Sequence, residues 1–149
     1  MTALVFVDTG VLLQAVDDKA PGKRDQARGW LAACWQRRCG RVSVQVLSDF
    51  YVSACKRFTG PSAGGDARAE IRRYQYWRPG VIDQPTVDAA WAVESRYGLG
   101  YWDALVVASA QQQGCALLIT EDLPHDLQID GVRIVNPFTL GPELLDTFA

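Results

Sequence analysis

The chain has 149 residues, 48% of them apolar and 21% charged, which is the length of one hydrophobic core and the composition of an ordinary soluble domain. Disordered, collagen-like and coiled-coil readings are excluded, no apolar run reaches the roughly 18 residues of a membrane span, and the start lacks the basic stretch of a secretory leader. The net charge is only −2, yet residues 1–78 carry 13 Lys/Arg against 7 Asp/Glu while residues 79–149 carry 2 against 10. Such a split suits an anionic partner on one face and a cation or basic partner on another.

Ala3–Val7 is too short an apolar run for a helix and reads as a buried strand, with Asp8-Thr9 capping a short helix that opens at Val11-Leu12-Leu13. Lys19–Arg24, with Pro21-Gly22, reads as a loop. Helical spacing of Ala27, Trp30, Leu31 and Cys34 predicts a helix from Asp25 to about Arg38, stopped by Gly40. Arg41–Val44 is a brief strand, and Ser43 caps a helix with Val46, Leu47, Phe50, Tyr51, Ala54 and Phe58 on its inner face. Thr59–Gly65 is a low-complexity loop. Asp66 to about Tyr76 is helical, Pro79–Ile82 a turn and short strand, and Pro85 opens a helix that Gly98 ends. Tyr101–Gln113 is apolar all round at Ala104–Ala108, so it is a buried helix. Cys115–Ile119 and Val132–Val135 are further strands. Alternating strands and helices predict a three-layer α/β/α sandwich with a mainly parallel sheet, a single domain over residues 1–149.

The four cysteines, Cys34, Cys39, Cys55 and Cys115, include no C-x-x-C pair, and His125 is the one histidine. A zinc site is therefore not offered, and all four thiols read as buried or half-buried residues in a reducing cytoplasm.

Ligands in such sheets collect at the carboxyl ends of strands. Asp8 follows the first strand directly, and Asp122 lies three residues after Ile119. Each has a plain alternative as a helix cap, and Asp103 has one as a first-turn acid. Asp49, between Val46 and Phe50, falls at or inside an apolar stripe, and Asp103 sits in a helix that looks buried; an unpaired carboxylate there needs a cation, a donor or a raised pKa. A structural ion pair with arginine would satisfy either, but arginine is scarce after residue 78. Oxygen-only ligands favour Mg²⁺ or Mn²⁺. An acidic cage beside a basic half that can follow a phosphate backbone suggests a nuclease.

With those residues in view, the sequence resembles the PIN-domain ribonucleases, in particular VapC-type toxins of toxin–antitoxin pairs. The matching segments are Val5–Thr9, Val42–Tyr51, Gly100–Ala110 and Leu117–Leu123, with Val132–Phe138 as a typical ending. The resemblance implies an acidic pocket for Mg²⁺ or Mn²⁺ built from Asp8, Asp49, Asp103 and Asp122. Thr120 occupies the hydroxyl position that orients a carboxylate or water, and Glu121 faces solvent or supports the metal from behind. Thr9 and Ser43 are expected as caps. The sequence departs from the family at Asp49, where a glutamate is usual, and at Gly10, where Asn or Ser is common. The implied reaction is endoribonuclease cleavage by a cation-activated water, with RNA, a small antitoxin protein and a second copy of the chain as partners. Candidate RNA contacts are Lys23, Arg24, Arg37, Arg38, Lys56, Arg57, Arg72 and Arg73. Trp77, Trp91 and Trp102 are expected in the core, and Trp35, beside Arg37 and Arg38, as the aromatic that meets a base or partner.

Two rival readings remain. One is a PIN-like module that binds RNA or a protein without cleaving. The other is a different Mg²⁺ enzyme; but Asp8-Thr9-Gly10 lacks the D-x-D of one phosphatase class, and no lysine follows Lys56 as a receiver domain requires.

Overall fold

The computed structural model describes residues 3–58, 60 and 63–148. Its elements run β1 (Val5–Val7), α1 (Thr9–Ala15), α2 (Pro21–Arg37), β2 (Gly40–Arg41), α3 (Val44–Arg57), α4 (Ala63–Tyr74), α5 (Gln84–Tyr97), α6 (Tyr101–Gln112), β3 (Leu117–Ile119), β4 (Gln128–Ile129) and β5 (Val132–Val135). The strands form one sheet in the order β2-β1-β3-β5-β4, parallel except for β4. β1 and β3 are buried on every residue, which explains why they read as continuous rather than alternating apolar runs.

Strand order creates the site. The chain leaves β1 toward β2 on one side, then crosses back over β1 to reach β3 on the other. Right-handed crossovers in opposite directions place helices on both faces of the sheet, giving the three-layer sandwich. They also open a crevice between the carboxyl ends of β1 and β3, where the direction switches. The helices fall into two packed groups, α1 with α2 and α3 (and α3 with α4), and α5 with α6, which lies on β3 and β5. No described helix is long and apolar enough to cross a membrane.

Several local expectations shift. α2 begins at Pro21, whose fixed φ suits a first helical position, so the expected loop shrinks to the residues before it. The strand expected at Arg41–Val44 is Gly40–Arg41, because Ser43 accepts from the Val46 N–H and starts α3 immediately. Val81–Ile82 forms no strand; Gly80 makes one bridge to Ser43, and Val81 is exposed. Of the expected loop 59–65, Thr59, Pro61 and Ser62 lie outside the described residues, and Gly64-Gly65 belong to α4. The β4–β5 hairpin was not anticipated, although Asp130-Gly131 adopts the paired positive φ angles of 44° and 90° that a two-residue hairpin turn requires. Cys55 is exposed rather than buried, and so is Trp91. Trp35 is half-buried, packed on Trp77 and Tyr74 at 4.9 and 5.5 Å between ring centroids, so its indole is part of a structural cluster.

That cluster limits Gly40. A Cβ there meets the Trp77 ring at 2.4 Å, and Trp77 is wedged between Trp35 and Tyr74. Gly40→Ala should lower stability by about 1–3 kcal/mol. Gly10→Ala, with nothing within 4 Å of the new carbon, should be neutral or stabilise by up to about 1 kcal/mol. Urea unfolding midpoints at constant slope check both.

Candidate functional site

Asp8 is the residue at which β1 becomes α1. Its backbone is extended, as an N-cap must be, and one carboxylate oxygen accepts from the Thr9 N–H at 2.8 Å. The other oxygen accepts from the Thr120 hydroxyl, also at 2.8 Å, across the crevice between β1 and β3. Thr120 is buried, and its oxygen in turn accepts from the Asp122 N–H at 3.1 Å. One threonine thus fixes the Asp8 carboxylate and the backbone that carries Asp122.

The remaining acids come from two helices. Asp49 projects from α3 and Asp103 from the first turn of α6. With Asp8 and Asp122 they line one open cleft of about 460 Å³. The structure therefore brings all four predicted aspartates together, with Thr120 immediately behind Asp8. Their burial differs from expectation. Asp49 is exposed, because the buried stripe of α3 is Val46, Leu47, Phe50 and Ala54, and Asp49 lies roughly 115° from its centre at 3.6 residues per turn. Asp103 is only half-buried, because the first turn of α6 extends beyond the packed run Ala104–Ala110.

Electrostatically the cleft is short of positive charge. Burial drives the Asp8 carboxyl above its ordinary range, two hydrogen bonds pull it back, and Asp122 and Asp103 push it up again. Desolvation raises Asp103, with Asp122 adding to it, and desolvation by the cleft walls raises Asp49. Among the described residues no cation pairs with any of these four carboxylates. Elsewhere acids are matched: Asp17 with Arg57, Asp18 with Arg24, Asp126 with Arg133, Asp130 with Arg96. Glu121 is exposed, as expected, and pairs with Lys23 at 2.7 Å on the rim.

Three sequence expectations change here. Thr9 is no cap; its hydroxyl donates to the Val46 carbonyl at 3.1 Å and ties α1 to α3. Arg37 and Arg38 precede β2, whose Gly40 pairs with Val5, so they lie at the amino end of the sheet, away from Asp8. Arg37 is also paired with Asp146. Arg57 is the one Lys or Arg lining the cleft among the described residues. Trp102, expected in the core, is 69% exposed at the cleft beside Asp103. Its only sequence signal was its place in the first turn, one residue before a candidate acid.

The donor set is all oxygen and anionic, the preference of a hard divalent cation. Among the described residues, no group of three or more His, Cys, Asp or Glu side chains is set to hold an ion directly. The fit is to an ion that keeps much of its water and takes one or two carboxylates, as Mg²⁺ does.

The PIN domain family model matches residues 5–125. The fold is similar to a toxin–antitoxin complex from Klebsiella pneumoniae, at 23% identity and a TM-score of 0.63, over 89% of this chain and 97% of that one. It is also similar to Mycobacterium tuberculosis VapC20, a sarcin–ricin loop cleaving toxin, at 20% identity and a TM-score of 0.57, over 79% of this chain and 91% of that one. At these identities the likeness is one of fold. No curated protein matches the sequence.

The raised Asp8 carboxyl has a testable consequence in metal-free buffer. A carboxyl whose folded pKa exceeds the unfolded value of 3.8 favours the folded state below that value and loses this contribution as pH rises through the folded pKa. Above its folded pKa the protein therefore carries a buried charge that asparagine does not. Asp8→Asn should raise the thermal midpoint in that range, and the advantage should shrink as pH falls and vanish below pH 3.8. Melting curves across pH in EDTA measure it.

Proposed function

The chain belongs to the PIN-domain family, and from that premise we propose that it is a divalent-metal-dependent endoribonuclease acting as the toxin of a toxin–antitoxin pair. The observation that carries this is the cleft at the strand switch point, where four carboxylates without counter-cations converge while most acids outside it are paired or capping. Mutual repulsion among Asp8, Asp103 and Asp122 is what a bound cation relieves.

Asp8, Asp103 and Asp122 would hold Mg²⁺ or Mn²⁺, one or two of them directly and the rest through water, with Asp49 facing them from α3. When bound, the cation supplies charge neutralisation at the phosphodiester and acidifies an attacking water. The protein's own groups set the geometry. Thr120 keeps the Asp8 carboxylate in one orientation, and the N-cap bond from Thr9 keeps its second oxygen in place. Asp49, exposed at the mouth, accepts hydrogen bonds from water on the α3 side and orients it toward the reacting phosphate. The cognate partners are RNA, taken at the cleft, and a small antitoxin protein in the cytoplasm, and the chain works as a homodimer.

Labelled RNA incubated with and without EDTA tests the reading. Cleavage should stop in EDTA, return with Mg²⁺ or Mn²⁺, and fall on the order of 100-fold or more in Asp8→Asn and Asp103→Asn. A generic phosphomonoester should not be hydrolysed, and expression should arrest growth until a co-encoded small protein is supplied. Full cleavage in EDTA, or by either variant, overturns it.

Asp49 gives a second outcome. Because its side chain is exposed, a longer arm is not crowded, so Asp49→Glu should keep or raise the rate. Asp49→Ala should lower it about 10- to 100-fold without changing the melting temperature. Rates and melting curves on the same preparations separate a site residue from a surface one.

A further inference from the structure

Beyond its carboxylates, the cleft carries features that metal binding does not use. α3 contributes Gln45, Asp49, Ser53 and Arg57, an inclined i, i+4 row spanning roughly 18 Å of helix axis. Arg57, at its end, is held by Asp17 at 3.3 Å through one nitrogen, which leaves the rest of a half-exposed guanidinium toward the cleft. Trp102 is 69% exposed, braced edge-on by Tyr101 at 5.2 Å, and Val52, 51% exposed, lines the same cleft. An indole of that exposure, fixed by a neighbour and standing beside an acid, is poor core and good platform.

We infer that Trp102 stacks an unpaired base of the RNA substrate and that Arg57 binds a backbone phosphate along α3. The inference rests on the ribonuclease reading and adds to it the residues that position the strand. The chemistry is complementary on each count. A base presents a π face to Trp102 and a phosphate an anion to Arg57. In a duplex the base faces stack on each other and none is free for the indole. A protein partner is less well matched, since among the described residues the exposed large apolar side chains in the cleft are Trp102 and Val52 alone, set among amides, a hydroxyl, a cation and carboxylates.

The test uses the full chain and a single-stranded oligoribonucleotide. In EDTA, RNA should quench tryptophan fluorescence in the wild type, and Trp102→Phe should lose that quench while still binding. Trp102→Ala should weaken binding about 10- to 100-fold, with KM rising more than kcat falls. Arg57→Gln should flatten the salt dependence of binding by about 0.7 in log–log slope, and Arg57→Lys should restore it. A matched duplex should be cleaved far more slowly than the single strand. Unchanged KM and quench in the Trp102 variants, or an unchanged slope in Arg57→Gln, overturns that contact. Loss of antitoxin binding alone on Trp102→Ala overturns the RNA assignment in favour of a protein face. Absence of cleavage by the wild type overturns the catalytic reading instead, and the quench and salt slope, measured without turnover, still decide the two contacts.

Discussion

Asp8 and Thr120 meet 2.8 Å apart across the gap between β1 and β3, and most of the cleft is arranged around that hydrogen bond. A carboxylate this deeply buried, with two other acids within electrostatic reach, is stable only if each oxygen has a donor. The Thr9 N–H and the Thr120 hydroxyl supply those donors, one from the helix that follows β1 and one from the residue that follows β3. The two strands must lie side by side and in register, Val7 opposite Ile119, for the two residues to meet. The sheet topology is in that sense a device for placing a hydroxyl against a carboxylate. The Asp122 N–H, donating to the same hydroxyl, carries the constraint into the next acid.

The second constraint is helix α3. Ser43 starts it, Thr9 ties its first turn to α1, and the pair Asp17–Arg57 ties its last turn to the residue chain beyond α1. Helix α3 is thereby fastened at both ends while its buried stripe packs inward. Its polar row is left facing the cleft with Asp49 in the middle.

Charge is distributed by the fold in a way that the chain order does not show. The basic first half does not form one face. Arg37 and Arg38 sit at the amino end of the sheet, Arg73 lies over the Trp35 ring, and Arg24 is occupied by Asp18 and Asp25. Lys23 is spent on Glu121 at the rim, and Arg57 reaches the cleft. The result is a site in which carboxylates outnumber cations, bordered by a single guanidinium. That is the balance a metal ion and an anionic strand would share.

Much of this protein was legible in its residues because the relevant forces are local. Three-residue apolar runs bounded by Asp8 and Thr120 mark strands buried on both faces. Ser43 and Gly98 start and stop helices by capping, Pro85 marks a helix's first turn, and the four acids stand out because carboxylates beside apolar neighbours need an explanation. What residues alone could not supply was decided by strand order and by the angles at which helices pack. The chain crosses back over β1, and this puts Asp8 against Thr120 and sends Arg37 and Arg38 to the opposite end. The direction of the α3 stripe leaves Asp49 exposed, although Leu47 and Phe50 close to it in sequence are buried. The overhang of one turn of α6 beyond its packed run exposes Trp102, in a segment whose composition predicts burial. Periodicity and caps report on a residue's own element within a few positions. Which elements become neighbours, and how far each projects past the core, is settled only when the whole apolar surface is buried at once.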